Sequence, residues 1–174
     1  SDILSITADS GAAATVSGIV DIENITVVGD AGTFAWTAHD NNADTASTIT
    51  VDATSMSGGT KAATINMVAE NDAAVIVRGG AGDDTITMSA SALVDNISGN
   101  AGNDTIKFAS ANLTATDIVD GGAGTDVLMA TDEVAIVDAD FTLVENVETL
   151  TGSTAAMAVN ATIGGEAAQA GIST

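Results

Sequence analysis

Hydrophobic positions in this chain alternate over short stretches and then stop. "ILSIT" (3–7), "NITVV" (24–28), "TFAWT" (33–37), "TITVD" (48–52), "TITM" (85–88) and "TIKF" (105–108) place apolar residues two apart, with Thr, Ser or a charged residue between them. A period of two puts alternate side chains on opposite faces of an extended strand. Gly, Asp, Asn and Ser bound each stretch, which reads as strand and turn. No segment combines a 3.6-residue period with caps over about ten residues. The tail "GEAAQAGIST" (165–174) is expected to fray. The pattern predicts an all-β chain of many short strands.

The strands repeat. "TITVDATSM" (48–56), "TITMSASAL" (85–93) and "TIKFASANL" (105–113) align as one short unit. A glycine phrase precedes the last two and then returns: Gly79-Gly80-Ala81-Gly82-Asp83-Asp84, Gly99-Asn100-Ala101-Gly102-Asn103-Asp104 and Gly121-Gly122-Ala123-Gly124-Thr125-Asp126. The phrases stand 20 and then 22 residues apart, so two residues are inserted between the second and third. A longer repeat also shows, because residues 1–29 resemble 125–152. The expected organisation is an N-terminal β segment at 1–46, solenoid turns at 47–130 and a C-terminal β segment at 131–174, one elongated domain cut from a longer repetitive protein. Repetition at this period signals stacked layers with one continuous core.

Charge narrows the partners. The chain carries 24 Asp and Glu against 3 Lys and Arg, a formal charge of −21, while 45% of its residues are hydrophobic. Such a surface repels phosphate backbones and anionic lipid, so neither nucleic-acid binding nor membrane insertion is expected. No apolar run reaches the roughly 20 residues of a membrane span. Cysteine is absent, so no disulfide supports the fold. The complement of this charge is a cation.

The glycine phrase fits that complement. A dinucleotide loop would open a helix, whereas Thr85-Ile86-Thr87 continues as a strand. A Walker loop needs a Lys after its last Gly, and Gly59-Thr60-Lys61 lacks the upstream spacing. Calcium instead takes about six to eight oxygen ligands, from carboxylates and backbone carbonyls together. A chain that turns sharply through left-handed backbone can offer several carbonyls to one point, and Gly at positions 1, 2 and 4 permits that turn. Asp at position 6 supplies charge, and the apolar residue at position 8 (Ile86, Ile106, Leu128) anchors the next strand.

This phrase, Gly-Gly-x-Gly-x-Asp-x-U-x with U a large apolar residue, closely resembles the calcium-binding repeat of the RTX (repeats-in-toxin) family. The resemblance implies a right-handed parallel β-solenoid, an RTX-type β-roll, with calcium held between the loops of neighbouring turns. It implies that Asp84, Asp104 and Asp126 are the carboxylate ligands. Gly80, Gly82, Asn100, Gly102, Gly122 and Gly124 would offer carbonyls or shape the turns, with Asp83 and Asn103 as secondary ligands. The family repeats as a nonapeptide with a loop on each side of every turn. Spacings of 20 and 22 instead place calcium loops along one side only, with at least two ions between the three loops. Asp95 and Asp117, each four residues before a loop, are candidates for a terminal or opposite site.

Other constellations carry less. Asp40-Asn41-Asn42-Ala43-Asp44 imitates the start of an EF-hand but lacks its Gly and closing Glu, and reads as a solvated acidic loop. Asp52 stands on a repeat strand and is a lesser candidate for a site. His39 has no nucleophile beside it in sequence. Glu145 and Glu148 are a chance carboxylate pair in so acidic a chain. Phe34 and Trp36 share a strand face and plug the solenoid or pack beneath a loop. No His-Glu-x-x-His or Gly-x-Ser-x-Gly appears, so no catalysis is expected. The resemblance extends to calcium-dependent surface-layer and giant repeat proteins of bacteria. It implies export by type I secretion, an extracellular or cell-surface location, and copies of the chain itself as partners in a lattice, filament or head-to-tail stack. A second reading is a calcium-dependent folding or secretion module, or adhesin repeat, of a larger secreted protein such as a protease or lipase.

Overall fold

A computed structural model of the chain describes residues 2–7, 13–16, 21–29, 32–39, 47–133, 135–153, 161 and 164–172. The acidic loop at 40–44 lies outside the described residues. Two seven-stranded sheets account for nearly all of the described fold. One stacks β1 (Ile3–Thr7), β3 (Asn24–Val28), β5 (Thr48–Asp52), β7 (Ala74–Arg78), β9 (Asp95–Ser98), β11 (Ile118–Asp120) and β13 (Val144–Glu145). The other stacks β2 (Ala13–Val16), β4 (Thr33–Thr37), β6 (Ala62–Asn66), β8 (Thr85–Thr87), β10 (Thr105–Phe108), β12 (Val127–Ala130) and β14 (Thr149–Gly152). Every pairing is parallel. The chain therefore crosses to the opposite sheet after each strand and returns one layer further on. That is a β-solenoid.

Alternation builds the core directly. In the odd-numbered sheet the inward residues Leu4, Ile25, Val51, Val77, Ile97, Val119 and Val144 align across successive strands. In the even-numbered sheet the matching column is Val16, Trp36, Ile65, Ile86, Ile106, Leu128 and Leu150. From Ile25 to Val119 and from Trp36 to Leu128 these side chains are buried. Parallel, in-register stacking sets like beside like, so β-branched and Leu side chains fill thin, even layers. Phe34 and Trp36 enter the core from β4.

The structure corrects two expectations. "TITVD" forms β5 in the odd-numbered sheet, while "TIT" at 85–87 and "TIKF" at 105–108 belong to the even-numbered one. The layer partner of Thr85 is Thr64, from "AATIN". An alternating Thr-Ile-Thr string fits either sheet equally, and only the stacking decides between them. The tail does not simply fray: Gly165–Gln169 form a short helix, α1, with Ala167, Ala170 and Ile172 buried. The Asp138 carboxylate caps it, accepting from the backbone N–H of Gly164 (2.8 Å) and Ala167 (3.1 Å). These bonds hold the Asp138 carboxyl below its usual range. The two residues inserted between the second and third glycine phrases leave those phrases in step. They are absorbed on the far side, where 109–117 replaces the shorter turn 88–94 and contains a 3-10 turn at Ser110–Asn112.

Candidate metal centre

The solenoid has two edges. Turns from odd- to even-numbered strands carry the glycine phrases, at 79–84, 99–104 and 121–126. Turns in the other direction, at 67–73, 88–94 and 109–117, form the opposite edge. On the glycine edge Asp84, Asp104 and Asp126 each immediately precede an even-numbered strand and are buried. Together they make a vertical ladder. The N–H of Asp84 donates to Oδ1 of Asp104 (2.7 Å), and the N–H of Asp104 donates to Oδ1 of Asp126 (2.7 Å). Above them the N–H of Ala63 donates to Oδ1 of Asp84 (2.6 Å). Below them the N–H of Asp126 donates to Oε2 of Glu148 (2.7 Å). Each carboxylate thus caps the strand one layer back.

Position 5 makes a second ladder of opposite polarity. The N–H of Asn103 donates to Oδ1 of Asp83 (2.7 Å), and the N–H of Thr125 donates to Oδ1 of Asn103 (2.9 Å). Asp83 is exposed and reaches forward along the solenoid, whereas its neighbour Asp84 is buried and reaches back.

The remaining oxygens show what the loops accommodate. Oδ2 of Asp84 accepts from the N–H of Gly80 (2.6 Å). Oδ2 of Asp104 and Oδ2 of Asp126 are buried with no hydrogen-bond partner among the described residues. A Cβ on Gly99 would collide with Oδ2 of Asp104 and with the carbonyl oxygen of Gly121. A Cβ on Gly79 would collide with Oδ2 of Asp84 and the Gly99 carbonyl, so the arrangement repeats. Position 1 is glycine because a carboxylate oxygen and the next layer's carbonyl oxygen share the space that a side chain would take. Two acceptors converge there. A buried carboxylate oxygen without a donor is costly, and a hard cation is the partner that a carboxylate and a carbonyl accept together. The residues present fit calcium.

Electrostatics agree. Burial pushes the Asp84 carboxyl up to about 6 and the Asp104 carboxyl up to about 7. For Asp104 the charges of Asp84 and Asp126 add to burial, partly offset by the bond from the Asp84 N–H. Asp126 is raised by burial and then by Glu148, Asp120 and Asp83. Carboxylates that raise one another's pKa are an anionic column in need of counter-charge. Among the described residues no three acidic or histidine side chains gather into a side-chain metal cage. The donor set is instead one carboxylate per layer with backbone carbonyls.

Backbone conformation separates the three loops. Asn100 (φ +73°), Gly102 (φ +127°), Gly122 (φ +101°) and Gly124 (φ +152°) occupy the left-handed region, as a tight carbonyl-presenting turn requires. Gly80 and Gly82 do not. The expectation of left-handed glycine turns therefore holds at Gly102, Gly122 and Gly124, is met by Asn in place of glycine at Asn100, and fails at position 1 of every loop and throughout the first. There glycine serves close approach: Cβ atoms on Gly80 and Gly82 would collide with the backbone of Met56 and Lys61 in the irregular turn above.

Asp95 and Asp117 lie on the opposite edge, in a ladder built by the same rule. The N–H of Asp95 donates to Oδ1 of Asp117 (2.8 Å). Here, however, hydroxyl side chains fill the other oxygens. Asp95 accepts from the N–H (3.1 Å) and Oγ (3.0 Å) of Ser89, and Oδ2 of Asp117 accepts from the N–H (2.8 Å) and Oγ1 (3.0 Å) of Thr114. Burial pushes the Asp95 carboxyl up to about 7. The structure brings Asp84, Asp104 and Asp126 together on one edge and sets Asp95 and Asp117 across the core from them. His39 is exposed, and Asp52 accepts from the N–H and Oγ1 of Thr54. Sequence reasoning passed over Ser89, Thr114 and Asn146, and set Glu148 aside as half of a chance carboxylate pair. Residues three to six before a strand-capping Asp signal the first pair only once the ladder is known.

The RTX calcium-binding nonapeptide repeat family matches residues 74–87, 89–107 and 115–131, as four copies. No curated protein and no solved structure matches the chain. The matched segments contain all three glycine loops and the buried Asp84, Asp104 and Asp126, while the exposed Glu148 that continues their ladder lies outside them. Over these layers the chain carries RTX-type calcium-binding repeats.

Proposed function

We propose that this chain is a non-catalytic, calcium-dependent structural unit of an extracellular bacterial assembly, a surface layer or filament, and that it folds on calcium after export. The observation that carries this reading is the buried, unpartnered Oδ2 of Asp104 beside the carbonyl oxygen of Gly121 in the next layer. Without a cation, carboxylates stacked at the strand spacing of about 4.8 Å repel one another in a partly buried column. The residues of the loops hold those oxygens in place, and calcium when bound supplies the positive charge that lets the layers close. Binding free energy then becomes folding free energy. The cytosol is poor in calcium and the cell exterior rich in it, which favours folding after secretion by a type I route. No helix among the described residues is long and apolar enough to cross a membrane.

Self-association is supported by the end of the stack. Among the described residues β1 is the outermost strand of its sheet, and its inward side chains Leu4 and Ile6 are only half-buried. Such a strand edge suits another layer of the same kind, whether from a second copy or from the same polypeptide.

Circular dichroism and light scattering during a calcium titration test both parts. Each site at a hundredfold excess over its Kd adds about 2.7 kcal/mol. A chain of this size gains about 2–4 °C in Tm per kcal/mol. Two sites should thus raise Tm by roughly 10–20 °C over a chelated sample. Growth in particle mass at millimolar calcium is expected. Folding indifferent to calcium overturns the metal dependence; calcium-dependent folding that stays monomeric favours a folding module of a larger secreted protein instead.

A further inference from the structure

The turn after the third glycine loop has none of the glycine phrase, yet it repeats that loop's contacts. Asp120 pairs with Glu145 and Val127 with Thr149, so Asn146, Val147 and Glu148 alone span what Gly121 to Asp126 span one layer earlier. The N–H of Gly121 donates to the Glu145 carbonyl (3.0 Å), as that of Gly99 does to Asp120 (2.9 Å). Asn146 is left-handed (φ +53°), as Asn100 and Gly122 are. Glu148 receives the Asp126 N–H at 2.7 Å, the distance at which Asp126 receives that of Asp104. The carbonyl oxygen of Asn146 and Oδ2 of Asp126 both fall where a Cβ on Gly121 would sit. Asp126 is only 1% exposed, and this Oδ2 has no partner among the described residues.

We propose that Asn146–Glu148 closes a further site for a hard divalent cation, with oxygens from Asp126, the Asn146 carbonyl and the Glu148 carboxylate. The site lies one step beyond the RTX match, which ends at residue 131. Glu stands where Asp stands in the other layers because its extra methylene lets the carboxylate of a shortened turn reach the same N–H. The side chain of Asn146 is tied back to Asp120 (Nδ2 to Oδ1, 2.7 Å), while its carbonyl faces Gly121. The Val147 N–H donates to the carbonyl of Ala170 (2.9 Å), so the segment ending α1 braces the turn from behind. The ladder therefore ends in a cation site rather than in an unshielded Asp126. This inference rests on the calcium reading of the glycine loops.

Native mass spectrometry and equilibrium dialysis of the full chain with calcium at pH 7.5 count the bound ions. Glu148→Gln keeps an oxygen for the Asp126 N–H and removes the charge. It should bind one ion fewer than the parent chain with an unchanged β spectrum. Asn146→Gly, which keeps the carbonyl and favours left-handed backbone, should bind the full number. An unchanged ion count in Glu148→Gln overturns the proposal while leaving the glycine-loop reading intact; a parent chain that binds no calcium overturns both. Should Glu148→Gln not fold, Glu148→Asp takes its place. Its shorter reach should weaken one site by about tenfold or more, and unaltered binding at every site overturns the proposal.

Discussion

The two edges of this solenoid solve one problem in two ways. On both, an Asp at the start of a strand accepts the N–H of the Asp one layer back, so a carboxylate column runs along the stack. On the edge holding Asp95 and Asp117, Ser89 and Thr114 complete the shell with backbone N–H and hydroxyl donors. On the glycine edge the corresponding oxygens of Asp104 and Asp126 face a carbonyl across the space of a missing Cβ. One column is satisfied by the protein itself and the other requires a cation. The contrast shows that burial of an Asp ladder does not by itself make a metal site. What makes one is a buried carboxylate oxygen left without a donor, as on Asp104 and Asp126, beside the carbonyl that glycine at position 1 admits.

The largest test of this contrast is pH without calcium. The native pKa values of Asp84, about 6, and of Asp95 and Asp104, about 7, lie above the ordinary Asp value. The folded chain therefore holds more protons than the unfolded chain between about pH 4 and 7. Apo stability should rise as pH falls from 7.5 to 5 and be lost again as pH rises through those pKa values. Calcium should compete with these protons on the glycine edge alone. Its apparent affinity should weaken towards pH 5, while thermal melts with and without calcium converge. Melts that stay equally far apart at pH 5 and 7.5 would contradict this.

A smaller effect, with a change of sign, is expected from Asp104→Asn. The amide oxygen still accepts the Asp84 N–H, but the charge shared with Asp84 and Asp126 is gone. In chelator the variant should melt above the parent chain. In excess calcium it should melt below it, by at least the contribution of one ion, about 2.7 kcal/mol at a hundredfold excess. Lower stability under both conditions would mean that this Asp is structural, like its counterparts across the core.

The smallest effect belongs to the other edge. Ser89→Ala removes a hydroxyl donor from the buried Asp95 and should cost about 1–3 kcal/mol. The loss should be equal with and without calcium and leave ion stoichiometry unchanged. A calcium-dependent loss would erase the distinction between the edges.

Much of this was legible locally. The glycine phrases, their spacing and the buried Ile86, Ile106 and Leu128 follow from a motif whose parts act within one turn. Asn146 and Glu148 were hidden because a turn three residues shorter keeps the contacts and discards the phrase. Ser89 and Thr114 were hidden because Ser and Thr are common in this chain, and only the position of the carboxylate shows which hydroxyls matter.

The residues alone determined that strands of period two stack with acidic glycine loops at a fixed interval, since alternation and turn chemistry are properties of neighbours in sequence. Only the tertiary structure decided which sheet each Thr-Ile-Thr string joins. It also decided which Asp oxygens meet hydroxyl donors and which meet a carbonyl. Those choices depend on contacts between layers some 20 residues apart, where register rather than local preference sets the partner.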